Sequence, residues 1–491
     1  MKQRLVAGID QGTTATTVLL FDADETVRGR GTREIPQSFP APGQVEHDPD
    51  AIWASVLDAL ETARAQAPDA EIAAIGITNQ RETTILWDRA TGRAVAPAIV
   101  WQDRRTAAAC EAMRKAGHEE RVRAATGLVL DPYFSGTKIA WLLEHIPGLR
   151  ARAEVGDIAF GTVDSYLIWR LSGGRTHATD PSNASRTLLY DLGQRGFTDE
   201  LCRLFGVPHA ILPEVRPSLG ALATTSGVPG LPDGAPIAGV VGDQQAALYG
   251  QGCVAPGDAK CTFGTGSFLL MNVGDRPVVS RHRLIGTVAW QIAEETTYAL
   301  EGSAFVCGAL VQWLRDGLGI IRAAAEVEAL AALVPDSGGV TIVPALAGLG
   351  APHWRAEARG LVTGITRGTT RAHLARAALE AMALQNVELL VAMEKDAGRS
   401  ITTLRVDGGA TANDLLMQMQ ADLMGVKVVR PEMAELTALG AARMAAQAVG
   451  IGRPGSVPDR GSTRATVFHP RATESERRAA LDRWQAAVAK A

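Results

Sequence analysis

The segment Leu5–Asp22, LVAGIDQGTTATTVLLFD, decides the fold of this chain. Its apolar run leads to Asp10, breaks at Gln11-Gly12 and becomes apolar again at Val18, which predicts two strands joined by a tight turn. Glycine in such a turn lets the backbone approach a ligand where a Cβ would obstruct it, and Asp10 is placed to hold a cation. The segment is either an ordinary β-hairpin or a hairpin that binds phosphate together with Mg²⁺.

A second glycine-threonine turn lies between two apolar arms at Lys260–Asn272, KCTFGTGSFLLMN, about half the chain further on. Two similar hairpins predict two similar domains. A third glycine turn, Leu404–Asp414, follows an apolar run and precedes the helical pattern of Leu415–Leu423. Because neither a Walker A loop nor GxGxxG is present, the arrangement instead resembles the actin-like ATPase superfamily. That resemblance implies an α/β fold of two ribonuclease-H-like domains with ATP in the cleft between them.

Length and composition agree with two globular domains. At 491 residues the chain is too long for one hydrophobic core, and domains of about 240 residues each are expected. The strand that follows Pro236 ends shortly before the second hairpin, so the boundary is predicted near Tyr249–Pro256. The domains would then span residues 1–250 and 251–491. A net charge of −4 with scattered basic residues indicates neither a nucleic-acid groove nor an anionic membrane surface.

The termini, apolar runs and cysteines indicate the compartment. The first strand begins directly after Met1–Arg4, which leaves no room for a signal peptide. No apolar run reaches the roughly 18 residues of a membrane span, so a cytoplasmic protein is expected. The five cysteines are odd in number and show no zinc-binding spacing. They are therefore expected to be reduced and packed as small apolar groups.

Charged residues follow two predicted buried strands directly. Arg81 and Glu82 come after the strand Glu71–Thr78, and Asp243 comes after Pro236–Gly242. Ligands bind at such strand ends in open α/β sheets. The Arg81-Glu82 pair is either a surface ion pair or a binding site for the hydroxyls of a small polyol. Asp243 is either the N-cap of the following helix or a general base that faces the cleft.

Three further predictions concern helices and a loop. Phe160–Leu171 reads as a helix, and Ser303–Leu318 reads as an amphipathic helix that carries Gly308 and Gln312 on one face. Tyr133 lies in a loop, where it either fills space or packs on the carbon face of a ligand.

Nine long motifs together identify the chain as a member of the FGGY carbohydrate kinase family. They are DQGTT, GITNQRETT, VWQDRRT, TGLVLDPYFSGTK, GDQQAAL, TFGTGSFLLMN, ALEGS, VDGGATAN and TALGAA. The resemblance covers nearly the whole sequence. Three departures stand out. The loop before Pro236 reads Asp233-Gly234-Ala235 and lacks the arginine with which some bacterial relatives bind fructose 1,6-bisphosphate. Ala15 and Thr17 replace the Ser and Arg of many relatives, and Arg355 follows Trp354 where Asp is usual, which leaves the contacts of that loop open.

The resemblance implies roles for individual residues. The polyol contacts of the family fall on Arg81, Glu82, Tyr133, Asp243 and Gln244, with Trp101 and Phe268 as apolar walls. The nucleotide contacts fall on Thr13, Thr14, Ala15, Thr265, Gly308, Gln312, Gly409 and Asn413. The metal-binding carboxylates are Asp10 and Asp243, and Asp243 is also the catalytic base.

The activity implied is the ATP- and Mg²⁺-dependent phosphorylation of glycerol to sn-glycerol 3-phosphate by a homo-oligomer, a dimer or a tetramer. One alternative is a kinase of another small polyol or sugar of the same family. Another is an actin-like or chaperone-like ATPase that uses nucleotide to switch conformation. The set of Arg81, Glu82, Tyr133 and Asp243-Gln244 argues against the switch protein, because a nucleotide switch needs no polyol pocket.

Overall fold

The structure is a computed structural model that describes residues 3–355, 357–433, 435–452 and 464–491. Its strands, in chain order, are β1 (Arg4–Gln11), β2 (Ala15–Phe21), β3 (Val27–Glu34), β4 (Glu46–His47), β5 (Glu71–Asn79), β6 (Ile85–Asp88), β7 (Ala98–Ile99), β8 (Ile158–Gly161), β9 (Ala178–Thr179), β10 (Tyr190–Asp191), β11 (Gly196–Phe197), β12 (Glu214–Val215), β13 (Leu219–Thr224), β14 (Pro236–Gly242), β15 (Ala259–Phe263), β16 (Ser267–Gly274), β17 (Ile285–Ile292), β18 (Glu295–Ala304), β19 (Thr341–Val343), β20 (Leu361–Thr363), β21 (Thr403–Asp407), β22 (Lys427–Pro431) and β23 (Ala465–Phe468).

The α-helices are α1 (Pro49–Ala65), α2 (Ala107–Lys115), α3 (Glu119–Thr126), α4 (Ser135–His145), α5 (Leu149–Glu154), α6 (Val163–Leu171), α7 (Pro181–Ala184), α8 (Asp199–Phe205), α9 (Asp243–Gly250), α10 (Gly308–Asp316), α11 (Glu326–Ala331), α12 (Arg371–Ala397), α13 (Asp414–Met424), α14 (Leu436–Ala448) and α15 (Glu474–Val488). Single 3₁₀ turns lie at His209–Ile211 and Gly409–Ala412.

Within the described residues, thirteen strands form one sheet with two similar parts. The order is β23-β22-β21-β15-β16-β18-β17-β13-β14-β5-β1-β2-β3. In the N-terminal part, β1 and β2 form an antiparallel hairpin, and β5 and β14 continue the sheet parallel to β1. In the C-terminal part, β15 and β16 form the hairpin, and β21 and β22 continue it in parallel. The repetition confirms the predicted two ribonuclease-H-like folds.

Both predicted hairpins close through glycine turns. In the first, Asp10 pairs with Thr17, and the Gly12 amide donates to the Ala15 carbonyl at 2.9 Å. In the second, the Gly264 amide donates to the Gly266 carbonyl at 2.9 Å. Both turns thus begin with a glycine whose amide closes the hairpin, although the second closing bond spans one residue fewer.

The two parts of the sheet meet edge to edge and are bridged by a helix. Strands β13 and β17 pair in parallel through Leu219 and Ile292. Helix α14, which lies in sequence between β22 and β23 of the C-terminal part, packs on β1, β5 and β14 of the N-terminal sheet and on α9. A Cβ on Gly76 would lie 2.3 Å from the Ala441 carbonyl oxygen. The close approach of α14 to the sheet therefore requires glycine in β5.

Two of the predicted helices begin later than the sequence pattern indicated. Phe160 belongs to strand β8, which pairs with β6, and the helix begins at Val163. Ser303 belongs to β18, where it pairs with Phe268 of β16, and the helix begins at Gly308. In both cases the apolar residues before the helix are held in a strand by pairing with a neighbour that is distant in sequence.

Three further features of the structure concern the cysteines, helix α12 and membrane-spanning helices. All five cysteines are buried as reduced thiols, as predicted. Helix α12 is buried along most of its length. Among the residues that the structure describes, no helix is long and apolar enough to cross a membrane.

Candidate active site

Charged residues lie at the carboxyl ends of three parallel strands, along one edge of the N-terminal sheet. Asp10 lies near the end of β1, Arg81 and Glu82 follow β5, and Asp243 follows β14. In the register, Asp10 pairs with Thr78, and Asn79 pairs with Gly242. Because carboxyl ends of neighbouring parallel strands meet at one edge, residues distant in sequence lie side by side.

Arg81 is at the centre of this group and is 3% exposed, so the interpretation as a surface ion pair is wrong. Its Nε lies 3.0 Å from Oδ1 of Asp243. One terminal nitrogen donates to Glu301 at 2.5 Å and to Gln245 at 3.2 Å, and the other donates to Glu301 at 3.2 Å. Glu82 is more distant, at 3.9 Å from Nε. The guanidinium is therefore held in one orientation from several sides.

Glu82 is bonded to a second buried arginine. Its Oε1 accepts from Nε of Arg186 at 2.5 Å, and its backbone φ of 62° lies in the left-handed region, which is strained for a residue with a side chain. Its carbonyl oxygen accepts from the Ser135 hydroxyl at 3.0 Å and from Lys138 Nζ at 3.4 Å. Burial raises the pKa of Glu82, although Arg186 and Arg81 oppose the rise. These contacts hold the segment after β5 in place.

Aromatic rings form one wall beside these charges. The ring centroids of Trp101 and Tyr133 lie 5.6 Å apart, and those of Trp101 and Phe268 lie 6.3 Å apart. The Arg186 guanidinium lies over the Tyr133 ring at 5.4 Å. Since Phe268 lies on β16, the wall combines residues from both parts of the sheet. Such rings suit the carbon face of a polyol.

Asp243 is the first residue of α9 and does not cap it. The N-cap position is Gly242, and no side chain caps this helix end, so the N-cap interpretation is wrong. Oδ1 of Asp243 forms an ion pair with Arg81 Nε at 3.0 Å and accepts from the Gln244 amide at 2.7 Å. Within the described part of the chain, Oδ2 has no hydrogen-bond partner, and the side chain is 28% exposed. One carboxylate oxygen is thus fixed while the other is free to accept a proton.

Gln244 is held by a buried lysine of the C-terminal part. Nζ of Lys260 donates to Oε1 of Gln244 and, at 2.7 Å, to the Thr262 hydroxyl. Burial lowers the pKa of Lys260, and the carboxylates of Asp407 and Asp243 oppose that effect. With its amide oxygen occupied by Lys260, Gln244 has its NH₂ group available as a donor to a ligand.

Asp10 is the carboxylate of the first hairpin. It is half-buried, and burial together with the neighbouring Asp243 carboxylate raises the pKa of Asp10 to about 7. No group in the described ranges donates a hydrogen bond to it or pairs with it as a cation. The described residues also contain no cluster of three or more metal-ligating side chains. Asp10 and Asp243 therefore supply two carboxylates whose mutual repulsion a cation would relieve.

The predicted nucleotide residues fall into two groups. Five of them, Thr265, Gly308, Gln312, Gly409 and Asn413, line a cavity of about 400 Å³ in the C-terminal part. Its remaining walls include the apolar side chains of Val311, Leu379 and Met382. The other three, Thr13, Thr14 and Ala15, lie on the N-terminal hairpin, where the Thr13 hydroxyl accepts from Trp101 Nε1 at 2.9 Å. The cavity is within the size range of small-molecule sites.

Three buried charged residues of the site were missed by the sequence reasoning: Arg186, Lys260 and Glu301. All three are fully buried. Lys260 lies between Ala259 and Cys261 on β15, and Glu301 lies between Leu300 and Gly302 on β18, so each charge stands inside a strand between uncharged neighbours. A charge in the middle of such a strand must have a buried partner, which is the signal that points to them. Arg186 follows the short helix α7 and carries no such signal.

The unusual Arg355 has contacts of its own. Its guanidinium donates to the backbone oxygens of Val488, at 3.2 Å, and of Ala491. Its backbone pairs with Leu349. Arg355 therefore joins its loop to the end of α15, where the carbonyl oxygens of a helix favour a cation.

Two ribonuclease-H-like folds with facing glycine hairpins define a protein of the actin-like ATPase class. Residues 5–250 match the N-terminal domain, and residues 259–449 the C-terminal domain, of the FGGY family of carbohydrate kinases. The chain belongs to this family.

Relatives and solved structures extend the match over the full length. A glycerol kinase of Alkalilimnicola ehrlichii is 56% identical over 99% of this chain and 98% of its own length. A glycerol kinase of Trichlorobacter lovleyi is 59% identical over 91% and 90%. The crystal structure of Plasmodium falciparum glycerol kinase with ADP superimposes with a TM-score of 0.93 at 33% identity, covering 100% of this chain and 98% of that one. A gluconate kinase from Lactobacillus acidophilus, at 21% identity and a TM-score of 0.89, shares the fold.

Proposed function

We propose that this chain transfers the γ-phosphoryl group of ATP to a terminal hydroxyl of glycerol and releases sn-glycerol 3-phosphate and ADP. The observation that carries the proposal is the arrangement around Asp243. One of its carboxylate oxygens is held by Arg81 and by the Gln244 amide, and the other is free. Relatives named glycerol kinase, at 53–59% identity over nearly the whole chain, support glycerol as the acceptor.

The acceptor site is formed by the residues that the family motifs indicated. Arg81, Glu82 and Gln244 offer charged and amide groups to neighbouring hydroxyls, while Tyr133 packs beside them. Trp101 and Phe268 close the apolar side. A short polyol fits this combination, because its hydroxyls need paired donors and acceptors and its carbon face needs an apolar surface.

The nucleotide is proposed to bind in the cavity lined by Thr265, Gly308, Gln312, Gly409 and Asn413, with its phosphates directed to the hairpin residues Thr13, Thr14 and Ala15. The relative with ADP supports a nucleotide as the second substrate. Strand β15 connects the two sites, since Lys260 at one end bonds Gln244 and Gly264 beyond the other end lines the cavity.

Asp10 and Asp243 are proposed to hold Mg²⁺ together with the ATP phosphates. Among the described residues Asp10 has no cationic partner, and one oxygen of Asp243 lies outside its ion pair with Arg81. Mg²⁺ prefers such oxygen donors and is usually bound by one or two carboxylates plus phosphates. When bound, the ion neutralises charge on the phosphates.

Catalysis in phosphoryl transfer is mostly positioning and charge stabilisation. Arg81 and Gln244 orient the glycerol hydroxyl, and the free oxygen of Asp243 accepts its proton. Closure of the two domains, residues 1–250 and 251–491, is proposed to exclude water, which would otherwise compete as the acceptor.

A coupled ADP-release assay across glycerol, dihydroxyacetone, erythritol, xylulose and gluconate tests the proposal. Glycerol is expected to have the highest kcat/KM, with Asp243→Asn as the control for contaminating activity. A higher kcat/KM for xylulose or gluconate would instead assign a sugar kinase of the same family. ADP release that is independent of any acceptor would assign a conformational ATPase.

A further inference from the structure

Glu301 lies at the meeting point of the two parts of the sheet and is fully buried. It stands on β18 of the C-terminal part, whereas the arginines it contacts belong to the N-terminal part. Its two oxygens accept from Arg81 at 2.5 and 3.2 Å and from Arg186 at 3.0 Å. The Ser303 hydroxyl adds a fourth contact at 3.2 Å. Both arginines therefore converge on the carboxylate of Glu301, and Arg186 in addition donates to Glu82.

The charges around Glu301 are balanced. Two guanidiniums, of Arg81 and Arg186, face two buried carboxylates, of Glu82 and Glu301. Burial alone would raise the pKa of Glu301, but Arg186 and Arg81 outweigh burial and lower the pKa to about 2. Glu301 is therefore ionised, and no other described carboxylate bonds both terminal nitrogens of Arg81.

We propose that Glu301 is a positioning residue of the acceptor site. It holds the terminal nitrogens of Arg81, so that Nε of the same guanidinium points to Asp243 at 3.0 Å. Glu301 itself contacts neither substrate and acts through Arg81. The carboxylate comes from the C-terminal part. The site for glycerol is therefore complete only when the C-terminal part is placed so that Glu301 reaches Arg81. This inference rests on the proposed function.

The physical reason lies in the geometry of a bidentate pair. Two parallel N–H···O bonds fix the plane of a guanidinium, whereas one bond leaves it free to rotate. Without the charge of Glu301, Arg81 loses its bidentate partner, whereas Arg186 keeps Glu82. Arg81 would then rotate away from the orientation in which it meets a hydroxyl.

Glu301→Gln tests the proposal, because glutamine keeps the shape and removes the charge. Calorimetry with glycerol and, separately, with a non-hydrolysable ATP analogue distinguishes positioning from general damage. Glycerol affinity is expected to fall at least tenfold, while the affinity for the nucleotide analogue stays within threefold of the parent. The matched control is Glu380→Gln, which removes a carboxylate 3.5 Å from Arg376 on α12. This control is expected to leave glycerol affinity unchanged.

A second variant, Glu301→Asp, tests the proposal if Glu301→Gln does not fold. Aspartate keeps the charge but is too short to reach both arginines, so glycerol affinity is again expected to fall, by at least threefold. Parental glycerol affinity in both variants, or an equal loss for glycerol and nucleotide, would overturn the positioning role. A parent protein that turns over no glycerol would instead refute the proposed function.

Discussion

Asp243→Asn separates binding from chemistry at this site. Asparagine keeps the size of the side chain. Its oxygen can still lie beside Arg81 Nε and accept from the Gln244 amide, contacts that measure 3.0 and 2.7 Å in the parent. The variant also leaves the buried charges balanced, with Arg81 and Arg186 facing Glu82 and Glu301. The fold and the affinity for glycerol are therefore expected to change little.

What the variant loses is the proton acceptor. The free carboxylate oxygen becomes an NH₂ group, which cannot accept a proton from the glycerol hydroxyl. General base catalysis typically contributes about 10²–10⁴-fold, or roughly 3–5 kcal/mol of barrier. A loose transition state needs little early deprotonation, which favours the lower end of that range. We expect kcat to fall by about a hundredfold or more.

Two measurements are needed. Calorimetry is expected to give glycerol and ATP-analogue affinities within about tenfold of the parent, a difference near 1.4 kcal/mol, while the coupled assay shows the fall in kcat. Asp396→Asn is the matched control, because Asp396 is a buried carboxylate that bonds His282 at 2.7 Å, outside the site. A kcat of Asp243→Asn within a few-fold of the parent would refute the role of base.

Three further predictions follow from buried contacts. Arg81→Ala and Glu82→Ala each leave a buried partner unpaired, worth about 1–3 kcal/mol, so each should raise the KM for glycerol about tenfold; an unchanged KM would exclude that residue from the acceptor site. Burial lowers the pKa of Lys138 from 10.5 to about 8, so between these pH values the unfolded chain binds more protons than the native one. The stability of the parent relative to Lys138→Met should therefore rise from pH 8 to pH 10 by up to roughly 3 kcal/mol, and thermal melts that show a constant difference would contradict this. Gly440→Ala would place a Cβ 2.0 Å from the Ala246 carbonyl oxygen on α9 and should destabilise the protein by about 1–3 kcal/mol, which a melting temperature equal to that of the parent would disprove.

Local sequence was sufficient for the elements that contain their own signals. The hairpins at Gly12 and Gly264 were predicted because a glycine turn between apolar arms needs no distant partner. Strand β5 was predicted from its apolar run. The starts of α6 and α10 were placed too early, because Phe160 and Ser303 are held in strands by partners that periodicity cannot show.

The candidate site likewise contains residues that local sequence indicates and residues that only the fold reveals. Arg81, Glu82 and Asp243 were found because each follows a buried strand, and parallel strands place such positions at a common edge. Whether Arg81-Glu82 is a surface pair or part of a buried array could not be decided from adjacency. The answer depends on Glu301 and Arg186, which lie more than 100 residues away in sequence.

The sequence by itself therefore determined the class of fold, the two hairpins and the residues that carry family motifs, since all of these are local patterns. Only the tertiary structure decided how charge is balanced among them. It showed that Lys260 and Glu301 reach across from the C-terminal part to hold Gln244 and Arg81. Burial and pairing of charges depend on which strands become neighbours, and that is settled by packing of the whole sheet.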